Sequence, residues 1–525
     1  MLADLRHAGD LLTRNARVTP HAPGLHYQDE RYTWAESDAR ANRLAHAVRQ
    51  HGVGRDDRVG ILAYNSASYV EAVFALARIG VTAVPINSRL VVSEIAFILN
   101  DCGATALLAG DEHLEMAQAV APQVSSLGTT LSLGTGGDGI PSYQRLLELG
   151  ADTPPELDRP IADDELFMLL YTSGTTGFPK GVMYTHRATL LGIVVHVLAI
   201  GSHRRHRVML PSPLYSAAGF AGITCAIAVG SPTFIIRYTP ETALATIARE
   251  RITFTNLVPT TLKMLIERDD FGSYDLTSLE LLLYGGSPMP EPTLRAASRV
   301  LRCGFRQTFA TSETGCSGTV LEPEDHRAAL NDSAAAARLQ SCGRPQVGVG
   351  VRIVDDDWSE VATGDLGEVA VRCDGNMSGY WNNPAASAAV MHEGWIRTGD
   401  IARQDGEGYV SLVDRKGDMI VSGALNVYPV EVERVVLEHP AVADCAVIGV
   451  PDDKWGEAVK AVVVLKPEAA VSVDDLLAFC AGKLAGFKKP KTIDLVAEIP
   501  RNPTGKVLRR VLKAPYWQGR ERNVS

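Results

Sequence analysis

No apolar run in this sequence is long enough to cross a membrane. Its most apolar window, residues 218–236, is broken by three glycines and a proline, and the stretch 190–200 is short and contains His196, whereas a spanning helix needs about 20 apolar residues. Both read as buried helix and strand. The eight cysteines are scattered, with no Cys-x-x-Cys pair and no Cys/His cluster at zinc spacing, so they read as reduced thiols of a cytosolic chain. The first residues lack the basic start and apolar core of a signal peptide; export is not expected, and a cytoplasmic location is. Lysine and arginine form no block long enough for a nucleic-acid surface, and the net charge of −10 argues against one.

What is present is ordinary globular composition, 46% hydrophobic and 21% charged over 525 residues, which is too long for one core. The first third alternates strand and helix: a hairpin over 24–33, a helix from Trp34 to His51, a strand from Arg58 to Ala63, a helix from Tyr69 to Ile79 and a strand from Val81 to Ile86. Such alternation predicts an α/β fold with parallel sheets covered by helices. Residues 125–142, with five glycines, read as an exposed loop, and the alanine-rich stretch 328–340 as a helical excursion. A last boundary at 414–418 opens a segment long enough for a small α+β domain, with helices at 430–439 and 473–484 and strands at 443–450 and 459–465. The expected division is a large domain over 1–414, a hinge at 415–418 and a small mobile domain over 419–525.

The stretch that carries most chemistry is Tyr171 to Gly181, which follows the apolar run Leu166–Leu170. Gly174 and Gly177 can take positive φ, Thr172, Ser173, Thr175 and Thr176 bring hydroxyls, and successive backbone N–H groups can curl around an anion while Lys180 adds charge. Only two residues separate Gly177 from Lys180, so this is not the spacing of a P-loop kinase or GTPase. A bare Ser/Thr/Gly cluster would be a surface turn. The full string Tyr-Thr-Ser-Gly-Thr-Thr-Gly-x-Pro-Lys-Gly, however, resembles the signature of the adenylate-forming superfamily, which includes acyl- and aryl-CoA synthetases, luciferases and peptide-synthetase adenylation domains.

Further strings support the resemblance, and together they run from 171 to 506. Gln307 to Gly315 is similar to the family's second signature. By resemblance, Phe309 packs on adenine, Ala310 and Thr311 lie beside the nucleotide, Ser312 meets phosphate and Glu313 holds Mg²⁺; Ala310 and Ser312 replace the usual glycine and threonine. Tyr284-Gly285-Gly286-Ser287-Pro288 resembles a Gly-Gly-Ala-Pro turn that adenine and the acyl group approach, with Gly286 and Ser287 on the nucleotide side and Tyr284 and Gly285 on the acyl side. The Trp395 to Asp400 string implies that Asp400 accepts hydrogen bonds from the ribose hydroxyls, a task for a carboxylate, and that Arg415 reaches ribose or phosphate. Lys506, in Pro500 to Lys506, matches the lysine that touches the α-phosphate and the substrate carboxylate. Thr176, Lys180, Glu313 and Lys506 are thus the expected catalytic residues.

The resemblance implies a two-step ligase that uses ATP, Mg²⁺ and coenzyme A. A carboxylate attacks the α-phosphate and expels pyrophosphate; a thiol then attacks the acyl-adenylate and releases AMP. Between the steps the small domain turns about a hinge, here at Gly417, where glycine would ease the change of φ and ψ. Gly423, Ala424, Trp455, Phe487, Lys489 and Lys491 stand where relatives meet coenzyme A, with Ala424 in place of the usual glycine. Tyr215, Ser216, Ala217, Ala218 and Gly219 resemble an acyl-pocket stretch in which Ser216 replaces a histidine. That histidine's role is vacant or filled elsewhere; His186 and His196 are candidates for it, although each reads more readily as a core residue. The small side chains there predict a larger acyl group, a medium-chain fatty acid or an aryl or aryl-propenoic acid. Two alternatives stay open: an adenylation enzyme that loads a carrier protein's phosphopantetheine, and a non-catalytic nucleotide-binding relative. The number of copies is open too, a homodimer being one arrangement.

Overall fold

The caps that begin and end helices agree with the sequence pattern. Thr33 accepts from the Glu36 backbone N–H at 3.2 Å while the Glu36 carboxylate accepts from the Thr33 N–H at 2.8 Å, and this capping box starts the helix Trp34–Gln50. A computed structural model of the chain describes residues 5–137, 139–172, 179–287, 289–422, 425–452, 455–467, 469–481, 483, 484, 486–501 and 505–518. It divides into two compact units, residues 1–351 with 371–398, and residues 352–370 with 399–525.

The first unit holds two mainly parallel sheets. In the six-stranded one the order is Thr129–Ser132, Ala106–Ala109, Arg58–Leu62, Thr82–Pro85, then β1 (Leu166–Thr172) and β2 (Lys180–Thr185). All pairs are parallel except the last, where β1 and β2 form a hairpin that matches Thr172 with Lys180. Its strands are nearly all buried, as a sheet covered on both faces requires. The strand Thr129–Ser132 corrects the reading of 125–142 as loop. Its buried end, Leu131 and Ser132, pairs with Leu108 and Ala109, and four residues between glycines are too few to show a period.

The nine-stranded sheet contains β3 (Leu281–Gly285) beside β4 (Gly304–Ala310) in parallel register, with the hairpin Pro23–Thr33 at its far edge. Two helices matter for the site. In α1 (His186–Ile200) the Thr185 hydroxyl accepts from the Ala188 N–H and Gly201 closes the helix with φ +66°. In α2 (Ala217–Val229) the Ser216 hydroxyl accepts from the Gly219 N–H and Gly230 closes it. The alanine-rich excursion is helical, an α-helix over Pro323–Asn331 followed by a 3₁₀ turn over Ser333–Gln340.

In the second unit, β5 (Trp395–Gln404) contributes residues from Gly399 onward and pairs antiparallel with β6 (Val410–Arg415). Glu368 ties the segment 352–370 to this ladder through the Gly399 N–H at 3.0 Å and the Lys416 ammonium at 3.3 Å. These bonds place residues 399–414 with the second unit rather than with the large domain expected to end at 414. Beyond them an α+β fold follows: long antiparallel strands Val442–Asp452 and Gly456–Leu465, helices Pro429–Leu437 and Val473–Ala481, and a core of Ile420, Val432, Val447 and Val463.

Candidate active site

The neck of the hairpin begins the site. Thr172 and Lys180 face each other across β1 and β2; the phosphate-loop residues Ser173, Gly174, Thr175, Thr176 and Gly177 lie outside the described residues. The Lys180 ammonium sits over the ring of Tyr380, 5.2 Å from its centroid, a cation–π contact. The same ring donates its hydroxyl to Glu313 Oε1 at 3.0 Å. Tyr380 is placed by its own backbone bridge to Val182 and by the Trp381 N–H, which donates to the Gly181 carbonyl at 2.7 Å. One tyrosine thus sets a cation and a carboxylate on its two sides. The sequence gives no motif for it beyond the aromatic pair Tyr380-Trp381.

The second signature continues β4. Phe309 is buried on the strand, Thr311 begins the turn that the Thr314 hydroxyl closes at 3.1 Å, and the Met377 N–H donates to the Glu313 carbonyl at 2.9 Å. The Tyr184 hydroxyl donates to the carbonyl of Ser312. Beside Phe309 and Ala310, the parallel neighbour β3 ends at Gly285, where a Cβ would stand 2.5 Å from the Thr308 carbonyl, and Gly286 follows with φ +78°. Glycine is required there on both counts. Ser287 completes the turn.

A cavity lies next to this segment, between α1 and α2 and against Gly315 and Cys316. Ala217, Phe220, Ala221, Thr224 and Cys225 line it from α2, at the spacing one helix face presents. The helical register separates the residues expected around the acyl group. Of Tyr215 to Gly219, Ala217 lines this cavity; Ser216 caps the helix, donating to the Pro213 carbonyl at 2.7 Å, and Ala218 faces solvent. Tyr284 and Gly285 do not line it either. Tyr284 is buried on the other face of the sheet, its hydroxyl 2.7 Å from His326 Nε2, and burial pushes that hydroxyl well above the usual phenol range. His186 is a core residue that accepts from the Ala8 N–H at 3.2 Å; His196, read as core, instead lines the cavity. The wall is closed where three glycines of separate elements meet. A Cβ on Gly315 would stand 2.0 Å from the Gly375 carbonyl, one on Gly375 2.6 Å from Gly192 Cα, and one on Gly192 3.4 Å from its nearest neighbour.

The second unit carries its own part. Asp400 and Arg415 are register partners across β5 and β6, joined at 2.9 Å. The turn that follows, with Gly417 in it, is closed by the Asp418 and Met419 N–H groups on the Arg415 carbonyl. Lys506 is exposed and follows Gly505, whose carbonyl accepts from Arg501 at 2.9 Å. Trp455 is 44% exposed, Phe487 packs on the core of this unit, Lys489 is half-buried and the Lys491 N–H donates to Val459; Gly423 and Ala424 lie outside the described residues. Among the described residues no group of three or more His, Cys, Asp or Glu side chains is placed to hold a metal ion. Glu313 alone nonetheless fits Mg²⁺, which keeps most of its water and binds through one or two carboxylates plus substrate phosphates.

A large unit of parallel sheets with a lysine, a tyrosine and a carboxylate beside the hairpin β1–β2, and a small unit that carries an aspartate–arginine pair and a lysine, are what an adenylate-forming ligase has. The chain belongs to the AMP-binding enzyme family: the model of that family matches residues 12–381, and that of the AMP-binding enzyme C-terminal domain matches 431–506. Feruloyl-CoA synthase of Amycolatopsis sp is 36% identical over 505 residues, 95% of this chain and 97% of the relative. Long-chain-fatty-acid–CoA ligase FadD13 of Mycobacterium tuberculosis is 34% identical over 517 residues, 98% of this chain and 99% of the relative. The crystal structure of the anthranilate CoA ligase AuaEII in complex with anthranoyl-AMP superposes with a TM-score of 0.87 at 28% identity, covering 97% of each chain. This is an AMP-forming acid–thiol ligase of the acyl-CoA synthetase kind, for which ATP and coenzyme A are substrates.

Proposed function

We propose that this ligase activates a medium-chain fatty acid or an aryl or aryl-propenoic acid and passes the acyl group to coenzyme A. The observation that supports it is the mostly apolar cavity between α1 and α2 that abuts the segment of Glu313, the kind of apolar lining that small organic ligands occupy. In the first step a carboxylate oxygen attacks the α-phosphorus of ATP in line, and the bond to pyrophosphate breaks. The chain positions the two anions and offsets their charge: Lys180 and the loop 172–177 take the outgoing phosphates, Phe309 to Ser312 with Gly286 and Ser287 take the nucleotide, Asp400 and Arg415 take ribose, and Lys506 takes the α-phosphate and the substrate carboxylate. Mg²⁺ held by Glu313 and phosphate oxygens would add positive charge where pyrophosphate departs. In the second step the sulfur of coenzyme A attacks the acyl carbonyl and AMP leaves with the electron pair, with Trp455, Phe487, Lys489 and Lys491 binding the thiol substrate and Gly417 as hinge.

A panel of carboxylic acids assayed for pyrophosphate release, with and without coenzyme A, tests this reading. Acids of six to ten carbons or with one aromatic ring should release pyrophosphate and, with coenzyme A, yield AMP and a thioester. Adenylate that accumulates and is discharged only by a carrier protein's phosphopantetheine would overturn the choice of acceptor.

A further inference from the structure

The cavity between α1 and α2 is apolar except for a few side chains, and nearly all of these are engaged. The Tyr184 hydroxyl is used on Ser312. Thr189 donates to the Thr185 carbonyl at 2.9 Å and Thr224 to the Phe220 carbonyl at 2.8 Å, both back onto their own helices. The Cys316 thiol donates to the Ala217 carbonyl at 3.5 Å. His196 differs. It is 94% buried, its Nδ1 meets no protein hydrogen-bond partner among the described residues, and it lines the cavity. Burial lowers its pKa to about 4, against the pull of a hydrogen bond to the backbone of Cys316. A backbone group that draws the pKa upward is a carbonyl acceptor, so Nε2 holds the one proton of a neutral ring and Nδ1 presents a lone pair.

The position of that lone pair bears on substrate. From Ala188 to His196 is eight residues along α1, about 12 Å at 1.5 Å per residue. Before α1 begins, Tyr184 touches Ser312, and Tyr380, which bridges Val182, holds the Glu313 carboxylate; further along the helix Gly192 lies against Gly315 and His196 against Cys316. The carboxylate chemistry belongs at the Glu313 end. His196 belongs at the other.

We infer that His196 is a specificity-determining residue, whose Nδ1 accepts a hydrogen bond from an O–H or N–H group at the far end of the acid. This deepens the proposed function and rests on it: the substrate class becomes aromatic acids with a hydroxyl or amino group on the ring edge remote from the carboxylate. An alkyl chain or bare ring would leave the imidazole lone pair buried and unmatched, and sites built to hydrogen-bond a substrate discriminate strongly against analogues that lack the group.

The test compares phenylpropenoic acid, para-hydroxyphenylpropenoic acid and octanoic acid, each followed by pyrophosphate release in the wild type, His196→Leu and His196→Gln. In the wild type the hydroxylated acid should exceed the unsubstituted one in kcat/KM by at least about tenfold. In His196→Leu that ratio should fall to near one while the unsubstituted acid keeps its rate within about threefold; His196→Gln, whose amide oxygen can accept, should restore part of the ratio. A wild-type ratio near one overturns the inference with no variant needed, as does a ratio unchanged in His196→Leu, or octanoic acid as the best substrate. In each of those cases the ligase reading survives, because pyrophosphate is still released. If the leucine variant is inactive on every acid, the wild-type and glutamine ratios decide the matter. Release with no acid at all would strike the proposed function itself.

Discussion

At the scale of single residues, the site asks different things of two cations. Lys180 is held over Tyr380, and Tyr380 also steadies Glu313, so Tyr380→Phe keeps the ring under the ammonium and removes one hydrogen bond from the carboxylate. A hydrogen bond to a charged group contributes about 1.5–3 kcal/mol. Adenylate formation should slow by roughly tenfold or more, about 1.4 kcal/mol of barrier, and saturation with Mg²⁺ should need a higher concentration; a variant with parental rates at every Mg²⁺ level would show that the hydroxyl does not serve Glu313. Lys506→Ala should cost about 10²–10³ in adenylation, the usual effect of removing one group that offsets transition-state charge. Coenzyme A should still discharge synthetic acyl-adenylate at close to the parental rate. Equal losses in the two half-reactions would show that Lys506 acts in both steps.

At the scale of elements, the register of α2 decides which alanine matters. Ala221 lines the cavity and Ala218 faces outward. Ala221→Phe should reduce kcat/KM for aromatic acids well below that for short ones, a methylene in an apolar pocket being worth about 1–3 kcal/mol, whereas Ala218→Phe should leave the preference within about twofold, as surface changes do. Steady-state kinetics on a short and a long acid checks both. This register was the part of the site the sequence did not yield. Motif strings mark the residues proposed to meet ATP because backbone conformation and charge are written locally, in Gly286, Lys180 or Asp400. The cavity between α1 and α2 is assembled from one face of each of two helices whose residues are apolar nearly all round, so periodicity cannot show which face looks inward. Of Tyr215 to Gly219 only Ala217 reaches that cavity, and strand alternation sends the ring of Tyr284 opposite to it. The elements themselves were more legible. α1 begins and ends where Thr185 and Gly201 indicate, and the strand at 129–132 was missed for want of length.

At the scale of the molecule, the two units should answer pH in opposite senses. In the first unit burial depresses the pKa of His26, His196, His206 and His326 to about 4 and that of His186 to about 3. An unfolded histidine titrates near 6.5, so between about pH 6.5 and 4 the unfolded chain binds more protons and the stability of this unit falls as pH falls. Glu71, whose pKa burial raises, opposes them singly. In the second unit Asp414 is raised to about 7, by burial against the attraction of Arg509; its protonated folded form gives stability that is full below about pH 4 and is lost as pH rises through 7. Calorimetry across pH 7.5 to 5.5 should therefore show one transition moving to lower temperature as the buffer is acidified while the other holds or rises, and Asp414→Asn should flatten the second trend alone. Two transitions shifting down together would contradict this assignment.

The meeting of Gly192, Gly315 and Gly375 sets a further limit. Gly315 and Gly375 have no room for a single methyl, at 2.0 and 2.6 Å from opposing backbone, but Gly192 has, at 3.4 Å. Of the three, the wall can be brought inward at one position only. An engineer wishing to trim the accepted acid carbon by carbon, or a lineage drifting toward smaller ones, has that one dial to turn among them, and it lies four residues, about one helical turn, before His196.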